Sequence, residues 1–155
     1  MSVKILITGG AGYIGTILTE ILLEQGAEVL CLDRLFFGLE KIVSFMKHPN
    51  YKFIKGDIRT FDKHLLQGVD AVIDLAALSN DPLGQLVGEK TMDINYRGRL
   101  RVCRLAKEMG VKRYIISSSC SVYGFSPEEC IEDTIPAPIS TYAKASLQAE
   151  EVLQE

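Results

Sequence analysis

A short apolar run that ends in spaced glycines, VKILITGGAGYIG, constrains this chain more than any other stretch. VKILIT (3–8) is long enough for one strand, and Ile14, Ile17, Leu18, Ile21 and Leu22 then recur at helical spacing before a second β-rich run, AEVLCLD (27–33). Strand, glycine turn, helix and strand thus follow in order. The alternation continues through YKFIKG (51–56), a short helix near 60–67, DAVIDLAA (70–77), a long helix across roughly 88–109 that Gly110 is placed to stop, and RYIISSS (113–119). The strands are continuously apolar, as expected when helices cover both faces of a parallel sheet. The pattern predicts an α/β fold, a doubly wound parallel sheet of Rossmann type. Residues 120–139 read as irregular, with Gly124, Pro127, Pro136 and Pro138, and a last helix is expected from Ser140 as N-cap to the C-terminus.

Gly9, Gly12 and Gly15 fall between the first strand and the first helix. Glycines there permit a tight turn, a close approach of backbone to a pyrophosphate, and close packing of helix on sheet, while the helix N-terminus faces the negative charge. The loop set expected to bind a cofactor is Gly9, Gly12, Tyr13, Ile14 and Gly15. Asp33 ends the second strand at the spacing where a carboxylate accepts hydrogen bonds from a ribose 2′-hydroxyl. A carboxylate there repels a 2′-phosphate, so NAD is expected over NADP, and the neighbouring Arg34 weakens that preference without reversing it.

With 47% hydrophobic and 24% charged residues over 155 positions, the chain has the material for a real core, which excludes a disordered tail. A net charge of -3 gives no general attraction to phosphate backbones or anionic lipid, so neither nucleic acid nor membrane is an expected partner. Arg97, Arg101 and Arg104 recur at helical spacing and read as a solvated helix face. Cys31, Cys103, Cys120 and Cys130 form no CxxC pair, and His48 and His64 stand well apart, which argues against a metal site and for reduced thiols in a cytoplasm. No apolar stretch approaches a membrane span, and the first strand runs into glycines where a signal peptide would need a cleavage site. Without repeat or linker, residues 1–155 read as a single domain.

The ordered motifs TGGAGYIG, GDIR, DLAAL, SSSCSVYG and YAKASLQAE give a sequence that resembles the extended short-chain dehydrogenase/reductase family, in its NAD-dependent epimerase/dehydratase branch. The resemblance covers the whole chain. It implies strand order 3-2-1-4-5, bound NAD, and a nucleotide-sugar substrate if the chain is catalytic. It also implies Asp57 and Ile58 at the adenine, and Leu75, Ala76, Ala77 and Ser79 along the cofactor's ribose and phosphate path, with Asn95 and Ser117 in the same set. Ser119 matches the catalytic hydroxyl and Tyr142 the catalytic tyrosine. Dehydratases of the family carry an acidic pair after that hydroxyl; here the positions are Cys120 and Ser121, which points to epimerase or dehydrogenase chemistry. Taken alone, Ser117 to Ser121 also suits a strand end satisfying its own backbone. Cys120 reads as a small packed residue, and the YxxxK spacing of Tyr51 and Lys55 falls on an expected strand, where it has no helical meaning.

Two departures from the family follow. A tyrosine with a pKa near 10 needs roughly 4 kcal/mol of preferential phenolate stabilisation to reach about 7. One lysine charge at about 4 Å supplies roughly that in an effective dielectric near 20. Four residues after Tyr142 stands Ser146, and Lys144 lies on another side of the helix. The resemblance further implies a chain about twice as long, so the C-terminal substrate domain is expected to be absent and the fold truncated after the tyrosine helix. The leading expectation is an NAD-binding domain whose reaction is hydride transfer on a nucleotide sugar, catalytically incomplete as an isolated chain. The alternative is a non-catalytic NAD-binding or protein-interaction module. Because the fifth strand would be an edge, a homo-oligomer or a second chain covering that strand is expected as well.

Overall fold

A computed structural model describes residues 2–79 and 81–153. The chain divides into two compact units, one of residues 1–76 and 101–117, the other of residues 77–100 and 118–155.

The first unit carries a five-stranded parallel sheet. Its strands are β1 (Lys4–Thr8), β2 (Glu28–Asp33), β3 (Tyr51–Lys55), β4 (Ala71–Asp74) and β5 (Arg113–Ile116), in the order β3-β2-β1-β4-β5. This is the order the resemblance implied. Helix α1 (Tyr13–Glu24) connects β1 to β2. Leu6, Ile7, Val29, Cys31 and Val72 are fully buried, which accounts for strands that are apolar on both faces. Residue pairing brings Thr8 opposite both Leu32 and Asp74, and Asp74 opposite Ile116. The carboxyl ends of β1, β2, β4 and β5 therefore lie along one edge. Chain direction splits at β1, which has β2 on one side and β4 on the other, and ligands of open α/β sheets bind at such a split.

Strand 4 is shorter than the sequence pattern suggests. It stops at Asp74, whose carboxylate is fully buried and accepts hydrogen bonds from the Thr8 and Tyr114 hydroxyls. Thr8 Oγ1 in turn accepts from the Ala76 backbone N–H at 3.3 Å, which turns the following residues out of the sheet. RYIISSS likewise ends as a strand at Ile116. Tyr51 and Lys55 do lie on a strand, β3. β5 is one edge of the sheet, and Ile115 on it is 52% exposed.

The second unit is helical. It contains α2 (Asp81–Leu86), α3 (Gly88–Met92), a π-helical segment Asp93–Gly98, and α5 (Thr141–Leu153); the division of the chain falls in the first turn of α4 (Arg99–Glu108). Neither α2 nor the π segment is marked in the sequence, because six residues are too few for a period to register and a π turn has no compositional signature. Ser140 caps α5 as expected, its Oγ accepting from the Ala143 N–H at 3.0 Å. The expected run to the C-terminus extends onto residues 154 and 155, which lie outside the described residues. Ala143, Ala145, Ser146 and Ala149 form the buried face of α5, and a side chain on Gly84 would meet Tyr142 Cβ at 2.9 Å, so α2 packs closely against α5.

Arg97 behaves as a solvated residue, ion-paired to Glu89 at 2.7 Å. Arg101 does not: it donates to the Phe61 carbonyl at 2.9 Å and lies 4.9 Å from the Phe61 ring centroid, so one member of the expected stripe is an internal brace.

Replacing Asp74 by alanine strands the buried Thr8 hydroxyl and the half-buried Tyr114 hydroxyl. Asp74→Ala is expected to cost about 2–4 kcal/mol in urea unfolding, against the lost charged hydrogen bonds. A loss below about 0.5 kcal/mol would contradict the central place given to this carboxylate.

Candidate functional site

The loop after β1 folds on itself through a hydrogen bond from the Gly12 N–H to the Gly9 carbonyl at 3.0 Å. A Cβ on Gly9 would lie 2.8 Å from the Ala76 backbone nitrogen, and Gly9 has φ +69, so both space and conformation demand glycine. Gly15 sits against the same loop: its Cβ would come within 2.6 Å of Gly10 Cα and 2.7 Å of the Gly9 carbonyl oxygen. Helix α1 begins beside this turn with Gly12 as N-cap, no side-chain cap and no acidic residue in its first turn. Its first amides thus carry the positive end of the helix dipole with no carboxylate to neutralise it. Tyr13 and Ile14, at its start, are exposed, 75% and 57%.

Asp33 stands at the end of β2 beside this turn. Its carboxylate accepts from the Ala11 N–H at 3.1 Å and the Leu35 N–H at 2.7 Å, which fixes its orientation. Leu35 is held in a left-handed conformation, φ 62, costly for a branched residue and stabilised here by that second bond. A carboxylate offers about four acceptor positions, so two remain. Arg34 turns to Asp57, its guanidinium 2.7 Å from Oδ2, and lies 4.7 Å from the Phe36 ring centroid. Asp57 also accepts from the Arg59 side chain at 2.7 and 3.0 Å and from its backbone N–H at 2.9 Å. Hydrogen bonding from Arg59, opposed by burial and aided by the Arg59 and Arg34 charges, holds the Asp57 carboxyl down from 3.8 to about 2. Ile58 beside it is buried. Leu75 and Ala76 follow β4 directly and face the Gly9 turn, and the Ser117 N–H donates to the Asp74 carbonyl at 3.2 Å. The first unit therefore brings together Gly9, Gly12, Gly15, Asp33, Arg34, Asp57, Ile58, Leu75, Ala76 and Ser117 at the carboxyl ends of its strands.

Ala77, Ser79, Asn95, Ser119 and Tyr142 belong to the second unit. Asn95 is fully buried in the π segment, and its amide grips the Leu78 backbone twice, accepting from its N–H at 2.8 Å and donating to its carbonyl at 3.0 Å. Ala77 is half-buried and Ser79 exposed, on the two sides of that grip. The serine run is committed residue by residue: Ser118 donates to Glu150, Ser119 Oγ accepts from the Ser121 N–H at 3.2 Å, and Ser121 donates to Asp81 at 3.1 Å. Cys120 is exposed, so the reading of it as a packed residue is wrong; a one-turn helix (Cys120–Tyr123) within the stretch read as irregular turns it outward. Tyr142 lies in the first turn of α5, half-buried. Ser146 is buried, and its Oγ donates to the Tyr142 carbonyl at 3.1 Å, a bond within the helix rather than one to the phenol. Lys144 is exposed.

Asp81 is a further functional residue that the sequence does not mark. Its two carboxylate oxygens accept from Ser121 and from Ser140, and so tie the turn after Ser119 to the N-cap of the helix that carries Tyr142. The Asp-Pro pair at 81–82 signals a helix start, but nothing local reveals partners forty and fifty-nine positions away.

A sheet of this order, with a glycine-walled turn at its split and a carboxylate ending the next strand, defines a Rossmann-type dinucleotide-binding fold. The bare helix N-terminus, the space that glycines keep open and the free acceptor capacity of Asp33 all fit such a ligand. Residues 5–155 match the NAD dependent epimerase/dehydratase family, and the chain belongs to it. The UDP-glucose 4-epimerase of Streptococcus mutans serotype c is 35% identical over 157 residues, covering 97% of this chain and 46% of that protein. UDP-glucuronic acid decarboxylase 1 of Danio rerio is 35% identical over 122 residues, covering 78% and 28%. Among solved structures, a UDP-N-acetylglucosamine 4-epimerase from Methanobrevibacter ruminantium M1 aligns with a TM-score of 0.93 and 29% identity, over 99% of this chain and 50% of that one. The UDP-glucuronic acid 4-epimerase of Bacillus cereus, in complex with UDP-glucuronic acid and NAD, gives 0.91 and 28% over 97% and 51%. The chain spans about half the length of the curated relatives it matches.

Asp57 gives the acid limb of stability a defined contributor. Its folded carboxyl titrates lower than the unfolded one, so its contribution is complete above 3.8 and is lost as pH falls through about 2. Asp57→Asn is expected to lower stability at neutral pH by about 1–2 kcal/mol, after allowing for the pair's partial exposure, and to flatten the acid-unfolding profile across that window. An unaltered acid profile would contradict the pairing.

Proposed function

We propose that residues 1–155 serve as an NAD-binding Rossmann domain of the nucleotide-sugar epimerase type. The observation that carries this reading is the fixed Asp33 carboxylate beside an uncapped, glycine-walled helix N-terminus. In this reading the amides at Gly12 to Ile14 bind the pyrophosphate, and Asp33 accepts from the adenosine ribose hydroxyls. Asp57 and Ile58 border the adenine, and Leu75, Ala76, Ala77, Ser79, Asn95 and Ser117 line or brace the remaining path. NAD, when bound, supplies a hydride acceptor and donor for a sugar hydroxyl. Ser119 and Tyr142 are the residues assigned to hold that hydroxyl and move its proton. Cys120 and Ser121 in place of an acidic pair support epimerase or dehydrogenase rather than dehydratase chemistry. The substrate class rests on the relatives, which are enzymes of UDP-glucose and UDP-glucuronic acid. A cytoplasmic location accords with four unpaired thiols, and among the described residues no helix is long and apolar enough to cross a membrane.

A second reading, NAD binding without catalysis by this chain, is favoured by Ser146. Where a lysine would place a charge near the phenol, its hydroxyl is turned into its own helix. This chain alone is therefore expected to show no measurable epimerisation of UDP-glucose or UDP-glucuronic acid. Robust turnover would remove the weight placed on that residue. The exposed Ile115 on the β5 edge supports a second copy or a second chain against that strand, which sedimentation over a concentration series tests; a monomer at every concentration, with slow amide exchange in β5, would count against it.

NAD at 100 times its dissociation constant should stabilise the fold by about 2.7 kcal/mol, and NADP should give a clearly smaller thermal shift. Asp33→Ala should bring the two shifts together. Equal shifts in the wild type would overturn the role given to Asp33.

A further inference from the structure

Arg34 follows the carboxylate assigned to the cofactor ribose, and a guanidinium in that position suits a 2′-phosphate as well as any side chain can. Its observed engagement runs the other way. Asp33 takes its two hydrogen bonds from backbone amides and none from Arg34, while the Arg34 guanidinium reaches a carboxylate twenty-three positions later, 2.7 Å from Asp57 Oδ2. The face of the Phe36 ring, 4.7 Å away, supports it there. Asp57 is itself set by three hydrogen bonds from Arg59, from its side chain and its backbone, so its orientation does not rest on Arg34 alone.

We propose that Asp57 is a cofactor-specificity residue: by holding the Arg34 guanidinium in an ion pair braced by Arg59 and Phe36, it withholds that cation from a 2′-phosphate and protects the preference for NAD. The inference rests on the dinucleotide reading given above. It explains how a basic residue next to Asp33 coexists with that preference. Two devices act together, a carboxylate that repels the phosphate and a second carboxylate that occupies the cation able to attract it. With Asp57 neutral, the Arg34 guanidinium loses its competing anion and is free to turn toward a 2′-phosphate.

Calorimetric titration of NAD and NADP into the wild type, Asp57→Asn, Arg34→Gln and the double variant Asp57→Asn/Arg34→Gln tests this. Asp57 borders the proposed adenine position, so both affinities fall on substitution and the readout is their ratio. The ratio is expected to move toward NADP by about five- to tenfold in Asp57→Asn, the size of a half-exposed ion pair with added ring contact. It is expected to return within about twofold of wild type in the double variant, and to change little in Arg34→Gln alone. An unchanged ratio in Asp57→Asn, or a shift that survives removal of Arg34, overturns the proposal; the second result would assign the effect to lost repulsion alone. Asp57→Ser, checked by circular dichroism, replaces Asp57→Asn if that variant does not fold. Absence of NAD binding to the wild type would overturn the dinucleotide reading itself, a result distinct from an unchanged ratio with NAD bound.

Discussion

The close approach of Gly15 to Gly9 and Gly10 governs the carboxyl edge of the sheet. With under 3 Å between the place of a Gly15 Cβ and the backbone of the turn, α1 starts directly against the end of β1. That position aims its first amides past the turn and lets the Ala11 N–H reach Asp33 at the end of β2. Side chains at Gly9 or Gly15 would push the helix off and break both relations. The loop after β4 depends on the same turn, since Ala76 lies where a Gly9 side chain would be and is held by Thr8.

In each unit the chain uses buried or half-buried carboxylates as fixed acceptors, each with one task. Asp74 gathers hydroxyls from β1 and β5 inside the sheet. Asp33 takes two amides and keeps acceptor capacity. Asp57 gathers two arginines. In the helical unit Asp81 gathers two serines, and Asn95 acts as a neutral counterpart on the Leu78 backbone. Hydrogen bonds to charged acceptors of this kind exceed neutral ones, so a few of them order loops that have little apolar area to bury. The Ser146 hydroxyl, buried, is satisfied within its own helix and supplies no charge to Tyr142.

Much of this was legible in the sequence because it depends on short-range pattern. The strands and α1 followed from apolar runs and from period, the glycine turn from spacing, and the Ser140 cap from residue type at a helix start. The strand order came only from the family resemblance, since period does not say which strands pair. Most of what escaped depends on partners distant in the chain, and the rest on single turns too short to show a period. DAVIDLAA reads as eight strand residues, yet Thr8 captures the Ala76 amide and ends the strand at Asp74. Arg101 looks like a surface charge until the Phe61 loop is seen beneath it, and Cys120 looks packed until a single helical turn carries it outward. Asp81 and the Arg34–Asp57 pair are invisible for the same reason.

The dinucleotide site proposed for this chain joins the turn after β1 to the end of β2. Backbone amide shifts followed by nuclear magnetic resonance during an NAD titration test it most directly. The largest changes are expected at Gly9 to Gly15 and at Asp33 to Leu35, saturating together with one affinity. Changes centred elsewhere on the chain, with these amides unmoved at saturating NAD, would contradict it.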